Sequence, residues 1–549
     1  MPYLSLSSRV SHYQLGKVIE YRNLRDINRE TFEKDLLQLQ LPAKLNECSS
    51  VDDMVVIFES NLLNLIDRHA PIITRVVIER PNTAWYTPEL SSSKCYKRQL
   101  ERRWLKSGLA VHRIQYRQQC AAYNKLLTKT YILHVQSKMS EYEKDSAKLH
   151  KYCKSILCLP KSKIMIDGCS TEQESANALA SFFKTKVSRI SNELENEEKL
   201  SSHPTSSFVS QLEEKCVSSE IRLSDFEPAS ETDVKKLITT SNNKSCDLDV
   251  IPPRVFKCFP NSFAPSLTII INKSLETGTV PCSYKKAIVI PSLKKPSLDS
   301  SDLSSYRPVS NLVYVSKLIE KVVSKQLITH LNNHDLLPST QSAYRKNYST
   351  ETSLLHLTNH ILCNLDKGRC TLLVTLDISA AFDTVDHQRL LRRYSKSYGL
   401  SDTVLLWMQS YLSGRSQLVQ VGSALSELQQ IESGFPQGAT LAGIKYNMFS
   451  SPMHEISQEH GVDHDAYADD SNLSVSFDIY DQAGTDNAVN KLENCLSDIQ
   501  SWMLINRLKL NSGKTYAILF YPPCQANIVA SRNISIKMNG KQLEMKKNK

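Results

Sequence analysis

A chain of 549 residues has length for three or four domains, and its 15 glycines and 21 prolines are far too few for a collagen-like or low-complexity polymer. Fourteen cysteines, with no Cys-x-x-Cys pair and no Cys/His cluster at metal-ligand spacing, argue against a disulfide scaffold and for reduced thiols. The net charge of +10 is compatible with a polyanionic partner; no apolar run approaches a membrane span, and the first residues do not read as a secretory leader.

In chain order, residues 1–85 read as an amphipathic helical lead-in, clearest in VVIFESNLLNLIDRHAP. The next segment, 86–165, holds the charge: from Lys94 to Lys154 there are fifteen Lys/Arg against four acidic residues, enough to account for the whole net charge. No Pro or Gly interrupts Leu109 to Leu159, and Leu100, Trp104, Ile114, Tyr123, Leu127, Tyr131 and Val135 recur at helical spacing. Long basic helices with interleaved aromatics follow, serving either as a solvated face or as a grip on nucleic-acid phosphates. Segment 166–240 reads as a short helix around SANALASFFKTKV, a Ser/Glu-rich linker or exposed loop over 191–208, and a further helix starting at Ser230, with Asp233 at capping-box spacing.

From 241 to 549 short β-rich runs (KKAIVIPSL, TLLVTLDI, SQLVQVG, SNLSVSF, YAILFY, ISIKM) alternate with helical stretches such as NLVYVSKLIEKVVSKQLITHL, which predicts an α+β or α/β body. TLLVTLDI ends on Asp377, so a carboxylate stands where a strand leaves its sheet. Asp469 and Asp470 fall between two strand-like runs, as at a hairpin tip. A bare Asp-Asp pair can simply satisfy turn amides. Three carboxylates brought together would instead repel and call for a divalent cation. Mg²⁺ suits hard oxygen ligands, and two ions roughly 3.5–4 Å apart would activate a 3′-hydroxyl and stabilise departing pyrophosphate.

Read together, LDISAAFDTVDH, SGFPQGATL and AYADD resemble motifs A, B and C of reverse transcriptases. KSCDLDVIP, KKAIVIPSLKK, SYRPVSNL, QSAYRKNYSTETSLL, SYLSGR and WMLINRLKLNSGKT resemble the matching blocks of non-LTR, LINE-type retrotransposon polymerases, jockey-like ones above all, and WYTPELSSSKCYKRQLERRW resembles their endonuclease-to-polymerase junction. The resemblance implies an α+β right-hand polymerase, its fingers and antiparallel palm backed by helices and preceded by the basic helical region. It implies RNA-directed DNA synthesis from dNTPs with two Mg²⁺ ions, Mn²⁺ being an alternative, on an RNA template and a DNA primer. By the same resemblance Asp377, Asp469 and Asp470 are the catalytic and metal-binding triad, joined at the metal by the carbonyl of Ile378. Phe382 is the aromatic gate against a ribose 2′-hydroxyl, although on its own any such Phe reads as core. Gln437 and Gly438 lie beside the incoming nucleotide. Arg307 grips the triphosphate, assisted by Lys294 or Lys295, and Lys514 is the acid that protonates pyrophosphate. GKT at 513–515 is not a Walker A loop, because Leu508 stands where its first glycine belongs.

The sequence departs from the pattern at Leu441, Ala442 and Gly443, where Gly-Pro is usual, and at Tyr516, where Glu is usual after Lys-Thr. An endonuclease module is not expected before the basic helices, and at Lys549 the chain stops about where a thumb would begin. Those expectations leave two readings, an active polymerase and a truncated relic that still binds RNA. A polymerase of another class is argued against by AYADD and the finger blocks. Localisation is expected in cytoplasm, nucleus or both, without secretion or membrane association.

Overall fold

The computed structural model describes residues 17–77, 85–143, 145–156, 164–200, 207–532, 534–538 and 540–546. They form two compact units, one made of the described residues within 1–26 and 70–163, the other of those within 27–69 and 164–549. This division differs from the boundaries 1–85, 86–165, 166–240 and 241–549 expected from composition. Val51–His69 is the expected amphipathic helix, burying Val55, Phe58, Leu62 and Ile66. The strands flanking it, β1 (Lys17–Arg22) and β2 (Ile72–Val77), are not helical. They pair antiparallel with Lys17 opposite Val77, a partnership across some fifty residues that local periodicity does not reveal.

In the first unit two long helices follow, α1 (Pro88–Ser107) and α2 (Ala110–Glu141), as the uninterrupted basic stretch predicts. Thr87 caps α1 by accepting from the Leu90 amide, and Pro88 occupies the first turn, where its missing N–H costs nothing. The two helices are zipped by aromatic and polar contacts. Trp104 stacks on Tyr116 with centroids 5.6 Å apart, the Tyr86 and Tyr123 hydroxyls meet at 3.3 Å, and Gln119 donates to the Ser93 hydroxyl at 3.1 Å. Lys97 and Arg113 lie over the Tyr123 and Trp104 rings, so some cations are spent inside the hairpin while most stay on its outer face.

The second unit holds two five-stranded sheets. One is built from β3 (Lys286–Leu293), β4 (Tyr306–Leu312), β7 (Arg415–Val421), β8 (Ala424–Leu425) and β9 (Gln429–Ile431), in the order β4-β3-β7-β8 with β9 also on β7. Helix α3 (Glu172–Leu200) lies on it, packing Ala176, Leu179, Ala180 and Phe183 against Val289, Tyr306, Val419 and Val421. The expected linker over 191–208 is therefore helix up to Leu200, and α4 (Ser207–Glu214) begins at 207; residues 201–206 lie outside the described residues. The signal was present in Ile190 and Leu194, which are buried one helical turn apart. Distant partners fix the polar face: Arg507 pairs with Glu195 at 3.0 Å, and Lys509 pairs with Glu193. Ser230 caps Glu231–Thr240 as expected.

The other sheet runs β10-β11-β5-β13-β16, from β5 (Cys370–Leu376), β10 (Asp463–Tyr467), β11 (Asp470–Phe477), β13 (Tyr516–Phe520) and β16 (Glu544–Lys546). It is antiparallel except for the parallel β13–β16 pair, so the sheet is mixed rather than purely antiparallel. Two small ladders flank it, β6 (Ile378–Ser379) with β12 (Lys509–Leu510), and β14 (Lys537–Met538) with β15 (Lys541–Gln542). Leu372, Val374, Leu473 and Ala517 are buried in this sheet. Helices α5 (His387–Tyr398), α6 (Ala442–Ser450) and α7 (Gln482–Ile505) complete the core, which buries Tyr394, Met448, Leu492 and Trp502.

Candidate functional site

The carboxylates meet through strand register. Ser471 of β11 pairs with Leu376 of β5, so the next step along both strands sets Asp470 opposite Asp377. Asp469 sits in the two-residue connection between β10 and β11, whose last pair is Tyr467 with Asp470. Ala468 takes a φ of +57° there, a conformation that a residue with a Cβ adopts only under constraint. The constraint is Gln341, a buried side chain whose Oε1 accepts from the Ala468 amide at 3.0 Å while its Nε2 donates to the Ala468 carbonyl at 3.3 Å. Nothing in the sequence singled out Gln341; it lies in the QSAYR block, and its role exists only once the hairpin docks beside it.

The electrostatics follow from this convergence. Burial first, then the neighbouring Asp470 and Asp377, push the Asp469 carboxyl up from its usual range, and Arg307 opposes them. Asp470 is raised by partial burial and by Asp377, again against Arg307. Thus the three carboxylates and the exposed Arg307 of β4 share one electrostatic neighbourhood. Asp377 is already engaged: its Oδ2 accepts from the Asn511 side chain at 2.8 Å and lies 3.5 Å from the Lys514 ammonium. Among the described residues no three His, Cys, Asp or Glu side chains form a ready metal cage. The donor set nevertheless fits Mg²⁺: hard, mutually repelling oxygens with cations at hand for phosphates, since Mg²⁺ keeps waters and substrate oxygens rather than an all-protein cage. Ile378 follows Asp377 in β6, opposite Leu510. The buried Tyr446 hydroxyl, without a hydrogen-bond partner among the described residues, is held far above its usual pKa by burial and then by Asp469 and Asp470.

The expected nucleotide residues surround this point. Phe382 is half-buried, its ring stacked on Tyr446 at 4.8 Å and edge-on to Phe435 at 6.3 Å, so it is braced from two sides. Gln437 is held in place: its Nε2 donates to Asp383 Oδ1 at 2.8 Å, and its carbonyl accepts from the Ser310 amide of β4 at 2.8 Å. Gly438 has φ +109°, and a Cβ there would stand 3.0 Å from the Ser310 carbonyl, which explains the glycine by close approach. The departure at Gly443 has a local cause too: a Cβ would come within 2.4 Å of the Tyr344 ring. Thr440, just before α6, donates its amide to Glu320 Oε2 at 2.7 Å, so a buried carboxylate anchors the loop. Lys294 donates to the Ser304 carbonyl at 2.7 Å, and burial followed by Lys186, Lys514 and Arg307 lowers its pKa. Lys186, on α3, is a cation that the sequence did not point to. It also lines a cavity of about 370 Å³ with Tyr306, Asp383, Gln417 and Gln437. For Lys295 the structure shows no tie to the carboxylates.

Residues 293–545 match the model of the family described as reverse transcriptase (RNA-dependent DNA polymerase). That segment is similar to reverse transcriptase domains. Across its length it is similar to a probable RNA-directed DNA polymerase from transposon BS of Drosophila melanogaster, 25% identical over 498 residues, covering 87% of this chain and 52% of that protein. The RNA-directed DNA polymerase from mobile element jockey of Drosophila funebris is 28% identical over 301 residues, 54% of this chain and 32% of its own. That of transposon X-element of Drosophila melanogaster is 23% identical over 461 residues, 81% and 48%. The chain spans about half or less of the length of these relatives. They bear out the expected likeness to jockey-type retrotransposon polymerases. The matched segment begins at the last residue of β3 and takes in every expected catalytic position, whereas α3, with Lys186, lies outside it.

Proposed function

We propose that this chain performs RNA-templated DNA synthesis, adding dNTPs to a primer 3′-hydroxyl at Asp377, Asp469 and Asp470. The observation that carries the reading is the β5–β11 register, which sets Asp470 across from Asp377 with Asp469 at the adjoining turn and Arg307 facing them. Two Mg²⁺ ions held by these carboxylates and the Ile378 carbonyl would supply Lewis-acid activation of the primer hydroxyl and charge neutralisation on the leaving pyrophosphate. Arg307, with Lys294 and Lys186 nearby, binds the triphosphate, and a guanidinium suits its forked oxygens. Phe382, braced by Tyr446 and Phe435, excludes a 2′-hydroxyl. Lys514, on the turn after Asn511, supplies a proton to pyrophosphate. The unengaged cations of α1 and α2 hold template RNA through its phosphates, a contact that weakens as salt rises. A life cycle of this kind would use cytoplasm and nucleus; no helix among the described residues is long and apolar enough to cross a membrane.

Primer extension on an RNA template with dNTPs, comparing wild type with Asp469→Asn, tests the assignment. We expect extension by wild type and a loss of at least about a thousandfold in the variant, the scale of removing a group that acts on the transition state. Equal incorporation by both would discard the site. No incorporation by wild type with RNA binding intact would favour a binding-only relic.

A further inference from the structure

We propose that Asn511 is a positioning residue for the polymerase carboxylates, holding Asp377 by its Oδ2 so that Oδ1 is the oxygen that meets a divalent cation. The proposal rests on the polymerase reading above.

Asn511 grips Asp377 twice. Its Nδ2 donates to Oδ2 at 2.8 Å, and its backbone amide donates to the Asp377 carbonyl at 2.8 Å, so side chain and main chain of one residue are fixed by one neighbour. The same Asn511 carbonyl accepts from the Lys514 amide at 3.0 Å, the Thr515 amide at 3.0 Å and the Thr515 hydroxyl at 3.0 Å. It therefore closes the turn that carries the Lys514 ammonium to 3.5 Å from Oδ2. Both contacts described at this carboxylate fall on that single oxygen.

The chemistry separates the two donors. A side-chain amide donates a hydrogen bond to a carboxylate and carries no charge, so it can stay in place when a cation arrives, as outer partners of metal ligands do. A lysine is itself a cation, repelled by an incoming metal. Lys514 would thus neutralise Asp377 in the metal-free site and be released toward phosphate when the metal binds. Asn511 would remain and keep the carboxylate from rotating. Its own place is set by the β6–β12 pairing of Leu510 with Ile378, and by Arg507 and Lys509 on the acidic face of α3.

The test is Mn²⁺ binding to the full chain, followed by the electron paramagnetic resonance signal of free Mn²⁺ without nucleic acid or nucleotide, for wild type, Asn511→Ala, Lys514→Met and Asp377→Asn. Thermal melts confirm folding, and Asn511→Ser is measured if the alanine variant does not fold. We expect Asn511→Ala to weaken binding by roughly 10-fold or more, the usual effect of removing an outer partner of a metal ligand. Lys514→Met should bind as tightly as wild type or tighter. In extension assays the Asn511 variant should need more Mg²⁺ and recover most of its turnover at saturating metal. Wild-type affinity in the Asn511 variant, beside a loss in Asp377→Asn, would overturn the positioning role and leave the polymerase reading intact. Absence of Mn²⁺ binding by wild type would overturn the proposal, and primer extension then decides separately on the polymerase reading.

Discussion

Removing the Arg393 guanidinium should cost this fold more than any surface charge could. Its side chain is 4% exposed, and it donates to Glu213 at 2.6 Å, to Asn506 Oδ1 at 2.9 Å and to the Phe449 carbonyl. The guanidinium also lies over the Phe449 and Trp502 rings, at 5.1 and 5.3 Å. It therefore joins α5, which follows the Asp377 strand, to α6, to the end of α7 and to α4. Breaking a buried pair from one side costs about 3–5 kcal/mol. Glu213 keeps donors in Trp502 Nε1 at 2.8 Å and Asn506 Nδ2 at 3.0 Å and is 26% exposed, so the low end applies. Arg393→Met, which preserves the apolar stem, should lose about 3 kcal/mol, more than a hundredfold in the folded population. Urea unfolding followed by tryptophan fluorescence reads the change, since Trp502 is part of the network. A cycle with Glu213→Gln should return a coupling of about 1–3 kcal/mol. A loss below about 1 kcal/mol in Arg393→Met would refute the reasoning, because it would mean that the ion pair does not hold these helices together.

Three further expectations concern selectivity, turn strain and pH. Phe382→Ala should raise incorporation of NTPs relative to dNTPs by about tenfold or more in single-nucleotide extension, while Phe382→Tyr should not. Gln341→Ala removes both braces of the strained Ala468 turn, so turnover should fall by about tenfold or more with little change in the KM for dNTP; unaltered kinetics would show that the turn holds itself. Burial, then Asp249, pushes the Glu59 carboxyl up to about 7, so the folded chain keeps a proton that the unfolded chain loses near pH 4.5. Stability should therefore fall as pH rises between about 4.5 and 7 and level off above. Glu59→Gln should flatten this slope by about 1–2 kcal/mol, the full shift being discounted for residual solvent access, as melts across that window would show.

What could be read from the chain was local. TLLVTLDI announces β5 and its terminal Asp377 because a buried strand is a continuous apolar run, and the Asp469–Asp470 turn is legible between two strand runs separated by two residues. The basic helices were equally plain, since nothing in their stretch interrupts helix. The residues that escaped notice act across the fold. Gln341 and Asn511 are amides inside recognised blocks, with partners 127 and 134 positions away. The helical end of α3 looked like a linker because Glu and Ser dominate it, and its cationic partners stand some 310 residues later. Asp383, which holds Gln437, becomes its neighbour only after the loop rests on β4.

Helix α3 bears on how the catalytic body can be handled. The segment similar to the reverse transcriptase family starts at residue 293, yet β3 starts at 286, the apolar face of α3 covers that strand's sheet, and its acidic end meets Arg507 and Lys509. A fragment cut at that boundary would expose Val419, which pairs with Val289, and Val421 of the same apolar cluster, and would strand two cations beside the Asp377 loop. A piece able to fold by itself should thus be larger than the matched segment, and an expression fragment should start no later than Ile164.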